Sequence, residues 1–172
     1  MRSLPAGYPE QAFAAFDHLK SRRQLTIEDL QVLAMIECFG EAFYFTLAEG
    51  VGNPEAKALL HRNGQEERGH AHRLLKAITL KGGAPFSLPA NEDNPFFKFA
   101  PTSLDCDANL IAALEQGEAD GDLVYQVWAD AEPDAQVAEL LRQNGREETR
   151  HGARVTAVKQ MLALSLQDTA AE

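Results

Sequence analysis

Cysteine is nearly absent: the 172 residues include two, Cys38 and Cys106, far apart and in no C-x-x-C pair. A zinc ribbon or a rubredoxin-type iron site needs four closely grouped thiolates, so both are excluded. Each cysteine reads as a small apolar side chain rather than a reactive thiol. Long apolar runs are also missing, and none approaches the ~20 residues that span a bilayer. The first residues, MRSLPAGYPEQAF, lack the apolar core of a secretory signal, which sets the expectation of a cytoplasmic protein. Positive charge is scarce: 16 Lys and Arg against 26 Asp and Glu leave a net charge of −10. That balance repels nucleic acid and anionic lipid, so no nucleic-acid or membrane partner is expected. It suits a protein that holds cations, and equally one that merely stays soluble.

A β-strand pattern of any length is lacking too, and what is present is helical. Residues 9–20 form a short amphipathic segment that predicts a preliminary helix. Thr26 offers an N-cap with Asp29 three residues on, and Leu30, Leu33, Ile36, Phe43, Leu47 and Val51 keep helical spacing. Gly50-Val51-Gly52 should close that helix, and Asn53-Pro54 should open the next, which stops at Gly82-Gly83. Residues 82–104 contain four prolines and no helical period, so they read as a long connection. Its Phe86, Phe96, Phe97 and Phe99 are expected to pack onto the helices. Asp105 or Asp107 then caps a third helix ending near Glu132-Pro133, and a fourth runs from Asp134 towards Leu166. Four helices joined short, long, short predict an all-α, four-helix bundle with one crossover. In a single domain of 1–172, the hairpins cover about 27–81 and 105–166.

The sequence repeats itself. Residues 59–73 and 140–154 agree without a gap at Leu59/Leu140, Leu60/Leu141, Asn63/Asn144, Gly64/Gly145, Glu66/Glu147, Glu67/Glu148, His70/His151 and Arg73/Arg154. Eight identities in fifteen positions compare with roughly one from average composition. The same offset pairs Glu37 with Glu118, Gly40 with Gly121, Tyr44 with Tyr125 and Ala48 with Ala129.

Glu67 and His70 share a helix face about 4.5 Å apart along the axis, as do Glu148 and His151. Glu37 and Glu67 lie equally far either side of the first turn, and Glu118 and Glu148 either side of the second. On antiparallel helices each pair reaches one level, so two hairpins would put four carboxylates and two imidazoles in one layer. Leu33, Ile36 and Phe43 flank Glu37, while Val124 and Val127 follow Glu118, which suggests apolar surroundings. Burying an unpaired carboxylate costs several kcal/mol, and two divalent cations would neutralise four of them. Carboxylates mixed with imidazole favour iron or manganese over zinc in a thiolate site or calcium among oxygens.

The run ECFGEAFY at 37–44 and the stretch ending EERGH at 66–70 resemble the rubrerythrin-like branch of the ferritin-like superfamily. EADGDLVY at 118–125 and EETRH at 147–151 repeat the resemblance, which covers roughly 27–80 and 105–160. It implies a ferritin-like bundle whose metal ligands are Glu37, Glu67, His70, Glu118, Glu148 and His151, with Glu67 and Glu148 bridging. The cofactor implied is two iron ions, with manganese or a mixed pair as variants. The activity implied is that of an oxidoreductase acting on peroxide or dioxygen. Without cysteines for a rubredoxin module, electrons must come from an external donor. A non-catalytic iron-binding or iron-handling protein is the alternative, although the tail past Leu166 is too short for the extra helix of ferritin shells. A homodimer is expected.

Other positions have two readings each. Tyr44 and Tyr125 either hydrogen-bond a ligand carboxylate or simply fill the core. Gly64 and Gly145, mid-helix, either leave room for a small oxidant or permit close helix packing. Glu66 and Glu147 point about 100° from their neighbours, towards solvent or an arginine. Arg73 and Arg154 either hold carboxylates near the site or form surface ion pairs. Glu41, Asp122 and Glu115 compete as ligands, although Glu115 has Ala34 as its repeat equivalent. His18, His61 and His72 have no repeat partner.

Overall fold

A computed structural model of the chain describes residues 3–169, with side chains through residue 163. It contains five α-helices in order: α1 (Ala12–Lys20), α2 (Ile27–Glu49), α3 (Pro54–Leu80), α4 (Ala108–Ala131) and α5 (Ala135–Thr169). Among the described residues there is no β-strand. Residues 170–172, part of the short tail, lie outside them.

Each main helix starts where a side chain takes over orphaned backbone N–H groups. At α2 the Thr26 hydroxyl accepts from the Asp29 amide while the Asp29 carboxylate accepts from the Thr26 amide, a closed capping box. The Asn53 side chain accepts from Glu55 and Ala56 at the head of α3, with Pro54 in the first turn. Asp107, not Asp105, caps α4 by accepting from Leu110. The Asp134 carboxylate accepts from Gln136 and Val137 at the start of α5. Past Leu80 the chain turns through Gly82, whose φ of +74° suits a residue without a Cβ.

α2 packs against α3, α4 against α5, and α3 runs along α5. α2 is long and apolar enough by composition to cross a membrane, contrary to the expectation that no such run exists. Its apolarity has another outlet here, because most of the helix is buried in the core.

The connection between the hairpins lies on the bundle, with short 3-10 turns at Asn91–Asp93 and Pro95–Phe99. Phe96 is buried and Phe97 meets Phe39 edge-on, as expected of the segment. Phe99 departs from that expectation: it is more than half exposed beneath the Lys98 ammonium. Asn94, fully buried, ties the segment down by donating to the Met35 carbonyl and accepting from the Phe96 amide. Cys38 is buried and accepts from the Arg68 guanidinium, while burial pushes its thiol up to about 11. Cys106 is half-buried.

Candidate metal centre

Midway along the bundle, α2 and α3 bring Glu37, Glu67 and His70 together, and α4 and α5 bring Glu118, Glu148 and His151. All six are buried, and both histidines are fully so. Their ligand atoms form two overlapping groups, each within 4.8 Å: Glu37, Glu67, His70 and Glu148, then Glu67, Glu118, Glu148 and His151. Glu67 and Glu148 belong to both groups, whereas Glu37 and Glu118 each belong to one.

The histidine contacts repeat that division. His70 Nδ1 lies 3.2 Å from Glu67, 3.3 Å from Glu148 and 3.5 Å from Glu37. His151 Nδ1 lies 3.2 Å from Glu148 and 3.5 Å from both Glu67 and Glu118. Yet no ring nitrogen of either residue makes a hydrogen bond of acceptable geometry. Buried nitrogens are normally satisfied. Oxygens crowded round an orphaned nitrogen, none in line with it, are the arrangement of donors converging on a common centre.

Electrostatics gives the same reading. Burial pushes the Glu37 and Glu118 carboxyls up to about 8, against the pull of His70 and His151. Burial also acts to raise Glu67, but the two imidazoles hold it well below the usual carboxylate range. Glu148 is likewise raised by burial and lowered overall, chiefly by the His70 charge. Burial disfavours imidazolium, yet the surrounding carboxylates raise His70 well above its ordinary value and His151 to about 12. The shifts share one cause: carboxylates crowded into a buried layer favour protons on the imidazoles and on Glu37 and Glu118. Two divalent cations would displace those protons and leave the same net charge. The residues fit a pair of metal ions.

Tyr44 and Tyr125 are buried, and each reaches across the bundle. The Tyr44 hydroxyl donates to Glu118, and the Tyr125 hydroxyl donates to Glu37. Of the two readings for these tyrosines, the structure has the hydrogen bond, and it crosses from one repeat to the other. Glu66 and Glu147 do not face solvent. Glu147 lies 3.2 Å from His70 Nε2 and Glu66 lies 3.2 Å from His151 Nε2, each on the outer side of the ring. Arg73 holds Glu147 and Asn144, while Arg154 holds Glu66 and Asn63. The Asn63 and Asn144 amides in turn donate to the His151 and His70 carbonyls. The arginine–glutamate pairs were among the readings of the sequence; the part of this bracket missed there was Asn63 and Asn144 and the contact with the outer side of each imidazole. Its signal was there, since all three residue types recur in the repeat.

Glu41, Asp122 and Glu115 stand apart from the cluster. Glu41 pairs with Arg68, Asp122 accepts from Gln126 and Thr149, and Glu115 pairs with Lys159. Val127 is more than half exposed and provides no apolar cover for Glu118. Gly64 and Gly145 leave no space for an oxidant. A Cβ on Gly64 would lie 2.7 Å from the Phe45 ring, and one on Gly145 2.8 Å from the Asp122 carboxylate. Both serve close packing. Gly40 and Gly121 do lie beside the clustered acids, where a Cβ would meet Glu67 and Glu148 at 3.3 Å.

A family model, Rubrerythrin, matches residues 30–159, well over half the chain. The chain belongs to the rubrerythrin family. Membership in the rubrerythrin family implies a ferritin-like bundle around a di-metal centre, and the match spans all six clustered residues. Comparison with curated proteins and with solved structures gives no match.

Proposed function

We propose that this chain is a di-iron oxidoreductase of rubrerythrin type that reduces peroxide, or dioxygen, with electrons from an external donor. One observation carries the reading: two overlapping carboxylate–imidazole groups sharing Glu67 and Glu148, with four buried ring nitrogens lacking hydrogen bonds. Glu37 and His70 would hold one ion, Glu118 and His151 the other, with Glu67 and Glu148 common to both. Bound there, iron would supply Lewis acidity and electrons for cleaving an O–O bond.

The remaining tasks fall to the chain. Glu147 and Glu66, fixed by arginines, would take up the outer side of each imidazole, 3.2 Å from Nε2, and leave Nδ1 facing inward. Tyr44 and Tyr125 each hold a proton against a carboxylate that one repeat supplies and the other steadies. Burial raises both phenols well above their ordinary value, so each remains a donor at neutral pH.

The test is turnover. Protein purified without chelators is assayed for metal per chain, then its ferrous form is mixed with peroxide and a reductant. Two iron atoms per chain and repeated cycles of oxidation and reduction are expected. A single stoichiometric oxidation with ferric iron retained would move the reading to iron handling. Absence of metal in repeated preparations would end it.

A further inference from the structure

The bundle is sealed along one seam and open along the opposite one. α3 and α5 run together, but α2 and α4 make no comparable approach. Between α2 and α4 lies a cavity of about 430 Å³ whose floor includes Glu37, Glu67, Glu118 and Glu148. That volume falls within the roughly 300–1,000 Å³ of small-molecule sites.

Above the floor the walls are mainly hydrocarbon, with Asp17 and Lys20 of α1 the charged groups among them. Phe39 and Phe43 come from α2, Leu114 from α4, and Phe13 and Phe16 from α1. α1 spans the seam as a strap. It packs on α2, and Lys20 reaches Asp120 on α4 at 3.3 Å. The following loop is pinned where the Trp128 indole donates to the Arg22 carbonyl. Phe13 meets Phe39 and Phe43 edge-on while remaining 62% exposed.

Peroxide is small and polar, and most of this lining offers it neither shape nor hydrogen bonds. Aromatic edges and aliphatic carbons instead match a ring of similar polarity. We propose that the chamber between α1, α2 and α4 binds a small, neutral, ring-containing apolar organic molecule, with one end against the carboxylate floor. As a ligand of the metal centre this molecule rests on the reading above, and as an occupant of the chamber it is testable separately.

Gly117 lines the chamber, and a Cβ added there meets nothing within 4 Å. A side chain can therefore be added at that position of the lining without its first carbon meeting a neighbour. Naphthol, a neutral fluorescent ring compound, is titrated into the full chain, metal-free and metal-loaded. Saturable binding of one molecule per chain with blue-shifted emission is expected. Gly117→Phe should weaken it at least about tenfold while helicity stays intact. Ala113→Phe, one turn away on the same wall, should do the same. Non-saturable emission, or affinity unchanged in both variants, overturns the proposal. So does a change in sedimentation mass with no naphthol binding, which would assign the cleft to a second copy of the chain. Naphthol binding by a chain that takes up no metal when iron is supplied counts against the metal reading alone, and two metals without naphthol binding count against the chamber alone.

Discussion

At the scale of single residues, Tyr44 and Tyr125 make two repeats into one site. Neither bonds to the glutamate seven positions before it; each hydroxyl crosses to the glutamate of the other half. The crossing follows from helix direction, because the tyrosine is two turns along a face that points to the bundle axis. Removing one hydroxyl leaves a buried carboxyl with one donor fewer and free to rotate. Tyr125→Phe should therefore lower metal affinity by about 10–100-fold, the usual cost of losing an outer partner. Competition against a chelator of known affinity measures it. Tight binding undiminished in both Tyr125→Phe and Tyr44→Phe would leave these tyrosines as core residues only.

At the scale of elements, the helices are defined by their ends, and the first turn of α2 is the most heavily fastened. Asp29 is buried, accepts from Thr26 twice and from the Tyr8 hydroxyl, and faces Arg22. Burial works to raise its carboxyl, but the hydrogen bonds and the arginine lower it below the ordinary 3.8. A depressed carboxyl contributes stability above its unfolded value and loses it as pH falls through the folded one. Asp29→Asn should cost ~1.5–3 kcal/mol near neutrality, in line with hydrogen bonds to charged groups. The gap between the two proteins' unfolding midpoints should narrow below pH 3.8, as thermal melts at stepped pH would show. Gly64 is the opposite case. Alanine gains roughly 1 kcal/mol of helix propensity, but its Cβ would press on the Phe45 ring. We expect Gly64→Ala to be neutral or destabilising by up to ~2 kcal/mol, with the proposed peroxide turnover, where measured, unchanged per folded chain. Such ends were legible because caps are local: Thr26, Asn53-Pro54, Asp107 and Gly82-Gly83 each mark a boundary without reference to the rest of the chain. For Glu66 and Glu147, solvent and an arginine both stood as readings, and the structure has the arginine. α3 and α5 pack on each other, so the face that carries them meets a histidine and an arginine of the neighbouring helix. Which helices touch is not written in the period of either one. The strap formed by α1 was hidden for the same reason.

At the scale of the whole molecule, the duplicated hairpin places an uncomfortable charge layer across the middle of the bundle. Every helix of the two hairpins contributes to it, so whatever neutralises the layer holds all four together. Cations would do it with bonds to both halves at once, through Glu67 and Glu148. Metal binding should then appear as stability of the entire fold. At a free metal concentration a hundredfold above the dissociation constant the gain is about 2.7 kcal/mol. For a chain of this size that is a rise of roughly 5–10 °C in the unfolding midpoint. Anaerobic calorimetry with ferrous iron, reversed by chelator, measures it. The control matters because the chain has 26 acidic residues, and surface carboxylates also attract divalent ions. A chain with both Glu67→Gln and Glu148→Gln keeps nearly all of that surface charge but loses the two shared ligands. Its midpoint should not respond to iron. An equal rise in that double variant would place the stabilising ions on the surface, and the buried layer would then be a proton-balanced core rather than a metal centre.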